Sequence, residues 1–270
     1  MTVLMPLSRS KPKRREAGCG RLLRYWRDVR KMSQLDLATQ SGVSSRHISF
    51  VESGKSVPSR ELLLALAEAL DVPLRERNAL LHAAGDAHLY ELRSIVAPEL
   101  APVLKSLRAV VERMNPFPTA ALDAQWNLLF LNTAAERLFG PLLATSSERN
   151  FARLFFRPEM RVVVENWDEM AEHFVQRLHR EALSDPRSRA LVEDILATSD
   201  VPRELHRPNL AHTPSPLLAA RIKVGDARLT LFTTITTLGT AQDVALSELR
   251  IESYLPADDE TEAFLRASIT

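Results

Sequence analysis

Residues 33–61, SQLDLATQSGVSSRHISFVESGKSVPSRE, decide how the N-terminal part of the chain is read. Ser33 stands where a hydroxyl can accept from an unpaired N–H at a helix start, and Leu35, Leu37 and Ala38 give a short helix beginning at Gln34 one apolar side. Gly42 permits a tight turn. Ser44 then caps another helix, with Ile48 and Val51 facing inward and Ser45, Arg46, Ser49 and Phe50 on its other sides. Pro58-Ser59 opens a longer helix through about Leu70, with Leu62, Leu63, Leu66, Ala67 and Leu70 inward.

Working outward, Leu22, Leu23, Trp26, Val29 and Met32 form an apolar stripe at helical spacing from Arg21 to about Lys31. On the other side, Pro73 opens a fifth helix that carries Leu74, Leu80 and Leu81 and stops at Gly85. The second and third helices, joined by Gly-Val, make a helix-turn-helix, a geometry that lets the second of the pair enter a B-DNA major groove. Charge agrees: residues 1–85 hold 15 Lys and Arg against 8 Asp and Glu, whereas the remainder holds 20 against 26. A basic head on an acidic body suits contact with a polyanion. The run RSKPKRR at 9–15 lacks apolar periodicity and reads as a flexible basic arm or a solubilising tail.

The 40-residue run from Ser33 to Val72 resembles the phage-repressor, Xre-type helix-turn-helix family, whose Ser-Gln pair, small residue at Ala38, turn at Gly42, Ile48 and Glu52-x-Gly54 recur at these offsets. The resemblance implies that Gln34 touches the DNA backbone or a base, that Ser45, Arg46 and Phe50 face the groove, and that Ser53 and Lys55 meet phosphate. With Ser44 and Ser49 these make the candidate double-stranded DNA contacts. Arg46 can bond guanine O6 and N7 with two parallel hydrogen bonds, and Phe50 can either pack on a thymine methyl or turn into the core. A further family pattern pairs Arg27 with Glu52 across the first and third helices, the alternative being solvated surface charges.

The second half changes character. Leu100, Val103, Leu104, Leu107, Val110 and Met114 form a helical stripe, read as a packed connector or a dimer seam, and Asn115-Pro116-Phe117-Pro118 ends it. Extended runs follow near 119–123 and 126–131, then helices at 133–139, 151–156, 159–180 and 187–198. Further strands are read at 217–224, 228–238 and 246–254, and a closing helix at 258–267. This order predicts an α+β domain with a five-stranded antiparallel sheet and helices gathered on one side, resembling PAS-type sensors. The expected division is a flexible arm at 1–19, a mainly α five-helix helix-turn-helix domain at 20–85, a linker at 86–98 and a PAS-like domain at 99–270.

The segments NWDEMAEHF at 166–174 and LFTTITTLGTAQDVALSELRIESYLPAD at 231–258, together with SRHISFVESGKSVPSRE and PLRERNALLHAAG, resemble bacterial regulators with an MmyB-like ligand-binding domain. The resemblance implies a transcription regulator whose PAS-like half binds an apolar small molecule such as a fatty acid. Trp126, Phe130, Phe139, Phe155, Trp167, Met170, Phe174 and Phe232 are the candidate ligand contacts, with core packing as the other use of such bulk. Arg153, Arg157 and Arg161 could hold a carboxylate or form a solvated edge. The rival reading keeps the DNA-binding head and makes the second half only a dimerisation or partner-docking module.

Other chemistry finds no support. Eight glycines in 270 residues are few for an all-β fold, and no apolar run is long enough for a membrane helix, so a cytoplasmic protein is expected. One cysteine, Cys19, leaves no intramolecular disulfide. His173/His179 and His206/His212 are six apart, not the spacing that puts two metal ligands on one helix face. No phosphate loop or nucleophile elbow is present, so neither a metal, a cofactor nor an enzymatic activity is expected. A homodimer is expected, because one recognition helix reads only a few base pairs.

Overall fold

The structure is a computed structural model and describes residues 17–145, 147–182, 185–198, 201–207, 218–239 and 241–268. The basic run at 9–15 and His212 lie outside the described residues. The chain forms two units: the first comprises Met1–Arg93 with Thr240–Ser247, the second Ser94–Gly239 with Glu248–Thr270.

Five helices build the first unit: α1 (Ala17–Val29), α2 (Gln34–Ser41), α3 (Ser45–Glu52), α4 (Arg60–Ala69) and α5 (Leu74–Ala84). Ser33 caps α2 reciprocally: its hydroxyl accepts from Asp36 N at 3.1 Å while the Asp36 carboxylate accepts from Ser33 N at 2.8 Å. Gly42 closes the helix with φ 72°, a left-handed conformation open to glycine at no steric expense. Leu23, Trp26, Leu37, Ile48, Leu66 and Leu81 meet in one core.

α1 begins four residues before Arg21, and two features explain the extension. Cys19 is buried, and at Gly20 a Cβ would fall 2.2 Å from the Val51 carbonyl oxygen, so α1 and α3 touch through backbone. The unit also runs past Gly85. Asn78 accepts from Leu89 N and Tyr90 N at 3.0 and 3.1 Å and donates to the Tyr90 carbonyl at 2.6 Å, tying 89–90 to α5. A short helix, Val244–Ser247, packs on α5, with Val244 fully buried and its N–H donating to the Glu91 carbonyl. Sequence placed 246–254 in one strand; residues 244–247 are instead helical and belong to the first unit.

The second unit carries α6 (Ala101–Arg113), β1 (Thr119–Leu122), β2 (Leu128–Leu131), α7 (Thr133–Ala144), α8 (Phe151–Phe155), α9 (Pro158–Val163), α10 (Trp167–Ala182), α11 (Pro186–Thr198), β3 (Ala219–Val224), β4 (Ala227–Thr237), β5 (Arg250–Pro256) and α12 (Asp259–Ala267). The sheet is antiparallel with order β2-β1-β5-β4-β3.

Helices cover both faces of this sheet, not one. Ala121 pairs with Ile251, and both pack with Leu107 and Val111 of α6; the alternate residue Leu122 packs with α10 on the opposite side. The apolar stripe of α6 is wider than its buried face. Leu107 and Val111 are buried, whereas Val103 and Val110 are exposed. The helix expected over 159–180 is two helices. Residues between them pair with the edge strand β3: Val164 bridges Ile222, Glu165 N donates to Arg221 O, and Asn166 bonds both Ala219 O and Arg221 N.

Candidate functional site

The exposed side of α3 presents one candidate face. Ser44 caps the helix, its hydroxyl accepting from His47 N at 3.3 Å, while Ile48 and Val51 anchor the opposite side in the core. Arg46, Phe50, Ser53 and Lys55 are exposed and Ser45 and Ser49 are half-buried. Phe50 does not turn into the core. Arg46 Cζ lies 5.4 Å and Lys55 Nζ 5.9 Å from its ring centroid, so two cations lie within cation–π reach of one exposed aromatic ring.

Behind this face, Arg27 of α1 grips Glu52 at the end of α3. Arg27 Nε and Nη2 donate to the two carboxylate oxygens at 2.7 and 3.1 Å, and Nη1 donates to the Met32 carbonyl at 2.7 Å. The Glu52 bonds, with the charges of Glu52 and Asp28, raise the Arg27 guanidinium above its ordinary range against the opposing effect of burial. Gln34 Nε2 also donates to Glu52 at 2.8 Å, so the Gln34 amide is part of this internal network.

The second unit holds a cavity of about 250 Å³ between the sheet and α8 to α10. Of the aromatic and sulfur-containing residues singled out in the sequence, Trp126, Phe139, Phe155, Met170 and Phe174 line it. Phe130, Trp167 and Phe232 lie outside its wall. Phe130 packs with α6 on the other face of the sheet, and Trp167 is buried, its Nε1 donating to the Phe155 carbonyl. Arg153, Arg157 and Arg161 are also elsewhere, paired with Asp194, Glu159 and Asp168.

One wall of the cavity is polar, and sequence reasoning missed it: Arg177 from α10 with Glu252 and Tyr254 from β5. Arg177 Nη2 donates to Glu252 Oε1 at 3.0 Å and the Tyr254 hydroxyl donates to Glu252 Oε2 at 3.4 Å. Burial, reinforced by the Glu252 charge, pushes the Tyr254 phenol well above its usual range and keeps it protonated. Behind the wall, Glu181 accepts from Arg177 Nε, Arg250 Nη1 and Trp126 Nε1 at 3.2, 2.8 and 2.9 Å. Arg177 and Arg250 also lie 4.3 and 4.1 Å from the Trp126 ring centroid. The only signal available in sequence was the alternation of β5, in which Arg250, Glu252 and Tyr254 share a face.

Among the described residues, no three His, Cys, Asp or Glu side chains gather as a metal site, and no helix is long and apolar enough to cross a membrane.

Comparison with known proteins gives each unit a counterpart. Residues 23–77 match a helix-turn-helix family model. A repressor of Bacillus subtilis, "HTH-type transcriptional repressor RghR", is 40% identical over 80 residues, covering 29% of this chain and 56% of that protein. "Multiprotein-bridging factor 1" of Saccharomyces cerevisiae is 35% identical over 68 residues, or 25% and 45% of the two chains. The matched stretches span about half the length of these curated relatives. Among solved structures, the PAS domain of Bordetella pertussis BvgS matches with a TM-score of 0.31 and 10% identity, over 62% of this chain and 96% of that one. Residues 103–267, more than half of the chain, match the model described as "MmyB-like transcription regulator ligand binding domain". With a helix-turn-helix at its head and that domain behind it, the chain belongs to the family of MmyB-like transcription regulators.

Proposed function

We propose that this regulator reads specific DNA sequences through the outward side of α3 and that occupancy of the second unit's cavity by an apolar small molecule such as a fatty acid changes that reading. The observation that carries the first half is the exposed cluster of Arg46 and Phe50 on α3 and Lys55 in the turn after it, with the end of α3 held by the Arg27–Glu52 pair. Arg46 reads guanine, Phe50 packs beside a pyrimidine methyl, and Lys55, Ser53 and the Ser44 end of the helix meet phosphate. Ser45 and Ser49 add flexible hydrogen bonds to base edges. Gln34 serves the interface by fixing Glu52.

The protein acts as a homodimer on double-stranded DNA, two heads on half-sites about one helical turn apart, ~34 Å, supplying affinity that one short helix lacks. Ligand control then requires that the ligand bind two arrangements of the dimer unequally, since equal binding shifts nothing. The largely apolar cavity supports this half. The test is selection of bound sequences from random duplexes, followed by gel shifts with and without a lipid extract and native mass spectrometry of the same samples. A two-fold-symmetric site, a dimeric complex and a retained small molecule are expected. A protein that never enriches a sequence loses the first half, and one that neither retains nor takes up apolar cargo loses the second.

A further inference from the structure

α6 keeps one side uncovered. A 3-10 turn at Pro98–Leu100 runs straight into the helix, and Leu100, Leu107 and Val111 are buried, the last two against the sheet. At about 3.6 residues per turn the opposite side carries Pro102, Val103, Ser106, Ala109 and Val110, with Glu99 at one end and Arg113 at the other. All are exposed, Val103 by 38% and Val110 by 50%. The Ser106 hydroxyl donates to the Pro102 carbonyl at 3.1 Å, so covering it strands no polar group. Among the described residues, neither the Glu99 nor the Arg113 side chain has a hydrogen-bonding or ion-pair partner. The helix therefore offers solvent an apolar strip with an unpaired acid at one end and an unpaired base at the other.

The order of these residues is symmetric about Ser106. Val103 and Ala109 stand three residues to either side of it, Pro102 and Val110 four, and Glu99 and Arg113 seven. Two antiparallel copies of the helix, related by a two-fold axis at Ser106, set Glu99 against the partner's Arg113 twice over, the two ion pairs roughly 20 Å apart at ~1.5 Å of helix per residue. Between them Val103 meets the partner's Val110 and Pro102 the partner's Ala109, and the small serine at the crossing lets the backbones approach. Parallel copies would instead put Glu99 on Glu99 and Arg113 on Arg113, so charge selects one orientation. A foreign partner would need a matching face of its own, whereas a second copy of this chain already carries it. We infer that the exposed side of α6 is the homodimer seam of the second unit, with two copies crossing antiparallel at Ser106. This names the surface for the homodimer proposed above and rests on that reading.

The test is sedimentation equilibrium of the full-length protein, free of DNA and at low salt, where exposed ion pairs are least screened. Glu99→Arg and Arg113→Glu are each expected to weaken the dimer by about tenfold, because each change replaces two attractions with two repulsions. The double variant Glu99→Arg/Arg113→Glu restores the attraction with its sense reversed and is expected to dimerise about as tightly as the unaltered protein, a recovery that damage to the fold would not give. Mild oxidation checks the geometry: Ser106→Cys is expected to give a covalent dimer, and Val103→Cys, whose copies lie on opposite sides of the crossing, is not. Cys19 is buried, so the unaltered protein serves as the blank. A dimer that no charge variant alters, a double variant no tighter than its parents, or cross-linking through Val103→Cys as readily as through Ser106→Cys overturns the inference and leaves the homodimer to another surface. A protein that stays monomeric at every concentration removes the homodimer and the inference together. The cross-linking arm needs neither charge variant to fold.

Discussion

At the scale of single residues, Arg46 and Lys55 lie near the same ring but are assigned different tasks, and substitution separates them. Arg46→Ala is expected to lose about 1–3 kcal/mol of discrimination at one base pair while leaving other positions unchanged. Lys55→Ala is expected to weaken every duplex alike and to lower the slope of log affinity against log salt by about one. Quantitative gel shifts on site variants at two salt concentrations decide it. Glu52→Ala removes the acceptor of Arg27 Nε and Nη2 and of Gln34, leaving Arg27 with Met32 and Asp28, and is expected to cost about 1.5–3 kcal/mol, read from urea denaturation of the full chain. Legibility divides along the same lines. Positions on one short helix could be assigned faces from spacing alone. Trp167 and Phe174, seven residues apart on α10, looked equivalent in sequence, yet only Phe174 reaches the cavity because α8 lies against the helix start and takes the Trp167 indole N–H. Arg177 and Glu252 stand 75 residues apart and meet only through the packing of α10 on β5, which no local pattern encodes.

At the scale of elements, helix ends were the most readable features because caps are local chemistry. Ser33, Ser44, Ser59, Gly42 and Gly85 act at the termini where the sequence set them. Ser44→Ala is expected to destabilise the first unit by about 1 kcal/mol in a denaturant titration. Asp36 gives the α2 cap a pH dependence. Hydrogen bonds from Ser33, the backbone N–H foremost, hold its carboxyl below the ordinary 3.8. A carboxyl lowered in the folded state stabilises above its unfolded value, and that contribution disappears as pH falls through the folded one. Asp36→Ala is therefore expected to shrink the loss of thermal stability between neutral pH and pH 3. What the sequence concealed was tertiary: the early start of α1 depends on backbone contact at Gly20, and the break between α9 and α10 depends on a β3 edge more than fifty residues away. Gly20→Ala places a methyl against the Val51 carbonyl and is expected to cost about 1–3 kcal/mol by forcing the helices apart.

At the scale of the whole molecule, the two-part plan was visible in charge and in the change of periodicity, and the antiparallel five-stranded sheet in the order of extended runs. The parts are nevertheless not consecutive blocks. Residues 240–247, which follow β4 and precede β5, belong to the first unit, where Val244 is buried. Val244→Ala removes two buried methyl groups, and is expected to lower the local opening free energy of α5 by about 1.5–2.5 kcal/mol, seen as faster amide hydrogen exchange in that helix. The interleaving also governs how the molecule breaks. A protease that nicks the backbone between residues 93 and 94 does not liberate the N-terminal fragment, because a piece of the other fragment remains clamped inside its fold; both halves should co-elute under native conditions and separate only in denaturant.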